Sequence, residues 1–486
     1  MSKEIKRKGI SLVALVITII VLVVLTGAVV IISVGDDGII SKSSIASEKY
    51  RASEIQETIF VAISNNALVD YVGGTYTTKE DIVDSLKKQK KLTNEEVEVL
   101  KTQNIITIAG VQVDFTMDFA SDFRVLKTNL EAGRSVKLSK DIEFTEPINI
   151  STSVSINGNG YKIKYAEGYT GSLFNIQPEG NFIMNNVIID GENNWEYGED
   201  EYTVITEENK TDITAFSIIN KGILEIYNST FKNIFSTQSA GIIKIYETTK
   251  LTVNNSNITN CASNTMLVGG NSVNNVEVNF SGFDFNTNFA KYVNYFELPL
   301  STVSINNCNY TENTATSSFL YIRNPAAQIN NTVISNNKCN GIILYIHRNA
   351  DLEFKNSIIV NNICSVVFQN YLSWGNGYKF ISGEIKDNTI TGSDTYIVSG
   401  VFEVGNNMRM EGNVNIFKNG IFLNNGIING NVLIDVAITE LEVLEHINNG
   451  IINGNVTLQP NKSDGTTVGT FTNNGTINGE FINTNE

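Results

Sequence analysis

The sequence predicts a mainly β protein: a right-handed parallel β-helix, preceded by a transmembrane helix, a helical stalk and a small α+β spacer. Three observations predict this. Segments with one alternating pattern return about every 25 residues beyond residue 220. Asn is crowded into that half of the chain: of 66 Asn, 60 follow residue 150 and none precedes residue 51. Residues 10–34 form a run of 25 without a charge.

Composition removes several function classes. In 486 residues, Lys+Arg 35 against Asp+Glu 51 give a net charge of −16, so no nucleic-acid partner is expected. Four Cys make no disulfide framework, and two distant His, His347 and His446, make no His-rich metal site. No cofactor or metal is expected. Five Pro and no Gly period exclude collagen-like structure, and 42% hydrophobic residues exclude general disorder.

The apolar run comes first. Twenty-five residues at about 1.5 Å each cross a bilayer core of about 30 Å. Lys3, Lys6, Arg7 and Lys8 precede it, and Asp36 and Asp37 follow it. The basic flank stays cytoplasmic, which makes a single-pass cell-membrane protein with its C-terminal part outside the cell. The run is too long for a secretory signal peptide, and no small-residue cleavage site follows. The motif KGISLVAL (residues 8–15) resembles the class III leader of type IV pilins and pseudopilins. That resemblance implies cleavage between Gly9 and Ile10, methylation of Ile10, and pilus or secretion-assembly components as partners. Ala14 stands where most pilins carry a Glu that pairs with a neighbouring subunit's terminal amine. Subunits lacking that Glu resemble minor or tip components. A plain uncleaved anchor is the alternative reading. The resulting division is leader 1–9, transmembrane helix 10–35, stalk and spacer 36–116, and β-helix 117–486.

In the spacer, Ile45, Ile55, Ile59, Phe60 and Ile63 have near-helical spacing and continue the membrane helix outward. Thr78-x-x-Asp81 and Thr93-x-x-Glu96 open two short helical patterns, the second as a capping box. Residues 106–116 alternate as two short strands around Ala109-Gly110.

The repeat follows. Pivot residues Asn228, Asn255, Asn307, Asn331, Asn356 and Asn388 lie 27, 52, 24, 25 and 32 apart, and Phe280 divides the long gap. A second version begins at Asn406, Asn424, Asn448 and Asn473, with NNGIINGNV occurring twice. Period-2 alternation inside a 25-residue unit means stacked strands, about 4.8 Å apart. Asn tolerates the left-handed turn conformation and can stack on its copy one turn away. Asn336 over Asn361 and Asn337 over Asn362 are predicted ladder pairs. Residues 123–163, a short amphipathic helix followed by strands, resemble the opening of the pectate-lyase-like β-helix superfamily, where a helix caps the first turn. Cys339 and Cys364 share a register, either as a disulfide or as a stack of buried thiols, whereas Cys261 and Cys308 align with no partner.

Enzymes resembling pectate lyases or polygalacturonases need clustered Asp, and Asp284, Asp351, Asp387 and Asp394 are isolated. The candidate site is instead a surface stripe. In FLYIRN (319–324) and LYIHRN (344–349), alternation turns Tyr321, Arg323, Tyr345 and His347 outward, with Tyr321 on Tyr345 and Arg323 on His347. Lys244 and Tyr246 point outward similarly, and Trp374 lies in an aromatic interruption at 371–380. A second aromatic interruption, 283–296, and an acidic one, 192–212, complete the surface features; the acidic one reads as a solvated loop or a weak Ca²⁺ site. Aromatic and basic groups on an acidic protein suit a glycan or other cell-surface ligand. The whole reads as a non-enzymatic, membrane-anchored surface protein displaying a rod for adhesion or structure. The alternative is a cell-surface polysaccharide lyase or glycoside hydrolase using Arg323 and His347.

Overall fold

The computed structural model describes residues 45–59, 62, 78–116, 119–193, 196–197, 204–205, 212–236, 240–246, 249–269, 276–298, 301–323, 326–347, 350–371, 377–417, 420–436, 445–460 and 470–484. The leader with Gly9, Ile10 and Ala14, the apolar run, Trp374 and most of the acidic segment lie outside them. Among the described residues no helix is long and apolar enough to cross a membrane. The chain divides into two compact units, Met1–Met117 and Asp118–Glu486.

Among its described residues the first unit has three helices and a hairpin. Residues 45–59 are helical and bury Ala52, Ile55 and Ile59, while Ile45 stays exposed. Helices Lys79–Lys88 and Asn94–Leu100 both start on complete capping boxes, Thr78 with Asp81 and Thr93 with Glu96. Reciprocal capping satisfies N–H groups that a helix start leaves orphaned. Strands Ile105–Ile108 and Val111–Asp114 pair antiparallel around Ala109 (φ 48) and Gly110 (φ 81), the two positive φ values of a tight hairpin turn. Arg51 joins the helices: it donates to Glu96 through both Nη atoms at 2.9 Å, to the Lys91 carbonyl, and to Glu48.

The second unit is a parallel β-solenoid of right-handed type. A full turn has three strands, as in Leu352–Lys355, Ser357–Val360 and Ile363–Tyr371. The first two faces belong to one 25-stranded sheet, and the third is a 15-stranded sheet running from Ile148–Ile150 to Phe481–Asn483. Strand alternation turns one side chain in and the next out. The interior is therefore a continuous apolar column, with Val253, Phe280 and Ile305 stacked in register on the first face. Helix Phe123–Glu131 covers the first turns with Leu126 and Leu130 fully buried, and Phe123 packs 5.0 Å from Phe144.

Two corners separate the three strands. At the first, Asn228, Asn255, Asn307, Asn331 and Asn356 take the left-handed conformation (φ 50, 46, 53, 49 and 49). At the second, Asn233, Asn260, Asn336 and Asn361 do so (φ 55, 51, 57 and 56). Asn suits both because its short side chain lowers the cost of positive φ. Two expected alignments are corrected. Asn388 is no first-corner pivot: Asp387 (φ 53) takes the second corner, and Ser382, bonded to Asn356, holds the first-corner position of that turn, with Gly383 (φ 129) following it. Phe280 does not divide the long gap, because it is a core residue; Gly282 (φ 62) turns that corner.

The ladder runs one residue beyond the second corner. Oδ1 of Asn362 accepts from the backbone N–H and the Nδ2 of Asn337, each at 2.9 Å, and Asn337 Nδ2 also donates to the Tyr310 carbonyl. The same pattern links Asn288, Asn313, Asn337, Asn362 and Asn388. Asn336 and Asn361 are instead exposed corner residues. Cys261 heads the column, its N–H donating to Asn288 Oδ1. Cys339 and Cys364 are in register as buried free thiols, pushed up to about 12 by burial. Cys308 sits in a first-corner column with Thr332 and Ser357.

The C-terminal turns are built differently. Asn424 donates to Asn448 inside the solenoid, and Asn448 to the exposed Asn473 of the next turn. Asn406 does not begin this column, since Asn424 stacks on Val404; the repeats align only from Arg409 on Ile427 onward. Surface amides form further columns, Asn474 to Asn449 to Asn425 and Asn478 to Asn453 to Asn429. Beside them the glycines come too close for a side chain: a Cβ on Gly450 would lie 2.1 Å from the Gly426 carbonyl oxygen.

Candidate ligand-binding face

The third sheet carries the candidate residues. In strands Phe289–Glu297, Thr314–Arg323 and Lys338–His347, Phe296, Ile322 and Ile346 point into the core. Their neighbours must then point outward. Parallel register stacks Tyr295 on Tyr321 on Tyr345, and Glu297 on Arg323 on His347. The two pairings expected from the sequence, Tyr321 with Tyr345 and Arg323 with His347, are therefore adjacent turns of one face.

The rings form a joined patch. Tyr295 and Tyr321 lie 4.5 Å apart at 10°. Tyr345 meets Tyr321 edge-on at 5.1 Å, and His347 lies 6.2 Å from Tyr321 and 5.6 Å from Tyr345. Tyr292 adds contacts of 5.1 Å to Tyr295 and 5.8 Å to Tyr321. The rings are half-buried, so each keeps an open portion beside its packed one. Glu297 accepts from Tyr295 Oη at 2.9 Å and from Arg323 Nη1 at 2.5 Å. Burial first, and Glu297 second, hold the Tyr295 phenol above its ordinary range; burial raises Tyr321 too. Both phenols stay protonated near neutrality and serve as hydrogen-bond donors rather than bases.

Lys244 belongs to the same outward column but two turns earlier, with Val268 between it and Tyr295. Its Nζ sits 4.9 Å from the Tyr246 ring and 5.8 Å from that of Phe216, and Lys221 lies 5.5 Å over Tyr246. Lys244 and Tyr246 thus make a separate cation–aromatic group. Of the aromatic interruptions, Phe283, Phe285, Phe296, Tyr378 and Phe380 are core residues, whereas Tyr292 and Tyr295 join the face.

Sequence reasoning did not assign Tyr292, Tyr295 or Glu297 to the stripe. The signal was present. Tyr295-Phe296-Glu297, Tyr321-Ile322-Arg323 and Tyr345-Ile346-His347 repeat one aromatic–apolar–polar triplet at intervals of 26 and 24. Among the described residues no group of three or more His, Cys, Asp or Glu is placed to hold a metal ion.

No family model matches the chain, and no curated protein matches it. Among solved structures, a variant of the periplasmic alginate epimerase AlgG is similar at 10% identity, over 75% of this chain and 83% of that one, with a TM-score of 0.22.

Proposed function

We propose that the solenoid is a carbohydrate-binding rod, held outside the cell by the pilin-like N-terminal segment, and that the Tyr295–Tyr321–Tyr345 column is its ligand platform. One observation carries this reading: three consecutive turns present aromatic rings in register beside ordered polar groups. Ring faces take the C–H face of a sugar, and the phenol and imidazole groups bond its hydroxyls. In the intact chain Tyr321→Ala removes the central ring. The expected result is at least a tenfold loss in retention on immobilised polysaccharide, about 1.4 kcal/mol. Unchanged retention would sink the assignment of this face.

A second reading is polysaccharide modification. It is favoured by Arg323 and His347, a guanidinium and an imidazole one turn apart beside the rings. Such a pair could neutralise a sugar carboxylate and move a proton. Hydrolysis by paired carboxylates is disfavoured, because Glu297 is the one carboxylate in the two outward columns of these three turns. Incubation with acidic and neutral polysaccharides decides between the readings: product release that His347→Ala abolishes establishes an enzyme.

A further inference from the structure

Glu297 does two things on this face. Its side chain is only 13% exposed, against 25% for Arg323, and it bonds two neighbours at once. It fixes the Tyr295 hydroxyl, and Tyr295 so held lies nearly parallel to Tyr321. It also cancels the guanidinium charge in place. A largely buried ion pair presents little net field, and its two members are already committed to each other.

Among the described residues, two further cations lie off the ring column. Lys291 is exposed at its margin, with Nζ 5.4 Å from the Tyr292 ring, and Lys244 lies beyond Val268. A polyanion nearing this face meets the field of a chain with net charge −16 and finds the guanidinium occupied. A neutral sugar chain needs only the ring faces, which remain.

We propose that Glu297 sets the ligand class: as a positioning residue it locks Tyr295 and neutralises Arg323, so that the face takes a neutral glycan segment and rejects uronate or sulfated ones. This rests on the carbohydrate-binding reading. The bounded column, with Val268 before the three rings and Gln369 after them, gives a platform of roughly 10 Å along the axis, which suits a short internal segment of a chain.

The test is affinity electrophoresis of the intact chain in gels containing either mixed-linkage β-glucan or polygalacturonate. Wild type is expected to be retarded by β-glucan at concentrations about tenfold below any effect of polygalacturonate. Glu297→Gln keeps the side chain's size and removes its charge. It is expected to gain polygalacturonate affinity roughly tenfold while β-glucan affinity changes less than about threefold. Glu297→Asp keeps the charge and is expected to preserve the wild-type ratio, which separates charge from packing. Urea midpoints of the variants monitor folding independently. Equal retardation of wild type by both gels, or an unchanged ratio in Glu297→Gln, overturns the selectivity and leaves the glycan reading standing. Retardation by neither gel overturns both.

Discussion

The middle turns and the C-terminal turns are both rich in Asn, yet they use it for different work. In the middle, Asn at positive φ makes the corners, and the next residue feeds a buried amide column. Beyond Gly412 no described residue has positive φ. There the turn closes because Gly admits the carbonyl of the turn below, and much of the Asn stands on the surface. One residue type thus solves a backbone problem in one region and decorates a backbone already solved by Gly in the other. Substitutions should divide the two regions accordingly.

The largest effect is expected in the middle. Asn337→Ala strands the buried Asn313 N–H and removes the side-chain donor from the Tyr310 carbonyl, while Asn313 Nδ2 keeps the Phe285 and Thr311 carbonyls. One stranded N–H, with the amide bonds lost on both sides of the column, costs about 4 kcal/mol together, read as a lowered urea midpoint. In the C-terminal turns Gly450→Ala should come next, at about 3 kcal/mol, because a backbone carbonyl cannot yield as a side chain can. Parity between Gly450→Ala and a surface Asn substitution would erase the contrast.

A third difference is chemical. The C-terminal turns bury an imidazole: His446 is 1% exposed, its Nδ1 accepts from the Phe422 N–H at 3.3 Å, and Nε2 has no partner among the described residues. Burial lowers it to about 4 from 6.5. The unfolded chain therefore binds a proton that the folded chain refuses between those values. Stability is full above pH 6.5 and falls as pH drops toward 4. Between pH 7 and 5 the loss attributable to His446 is about 2 kcal/mol, and His446→Phe should remove it. A slope that persists in that variant would clear His446 of the effect.

The smallest effects sharpen the comparison. Asn331→Ala should cost about 1 kcal/mol through its φ of 49, and Asn331→Gly should restore the midpoint. Asn449→Ala removes one exposed amide from a surface column and should stay below about 0.5 kcal/mol.

Much of the solenoid was legible because Asn at turn spacing is a physical requirement of the middle corners. Its phase was less so. Thr287, Glu312 and Asp387 also turn corners at positive φ, Gly282 replaces Asn altogether, and Ser382 stands opposite Asn356. An eye following Asn therefore slips, by two residues at Phe280 and Asn406 and by six at Asn388. Alternation sufficed to turn Tyr321, Arg323, Tyr345 and His347 outward. Glu297 escaped because its charge is opposite to that of Arg323, so the triplet did not look like a repeat. Opposite charge is what lets the two residues pair across adjacent turns.

The amide column has an electrical consequence. From Asn288 to Asn362 each Nδ2 gives one proton to the Oδ1 one turn later and another to a carbonyl of the turn before, so the amide-to-amide links all run in one sense. Their dipoles add along the axis as peptide dipoles do in a helix, inside a medium that screens them weakly. The surface columns Asn474–Asn449–Asn425 and Asn478–Asn453–Asn429 donate toward the earlier turn. The solenoid is thus polarised along its length, with one sense set deep in its middle and the opposite sense written on the skin of its C-terminal turns.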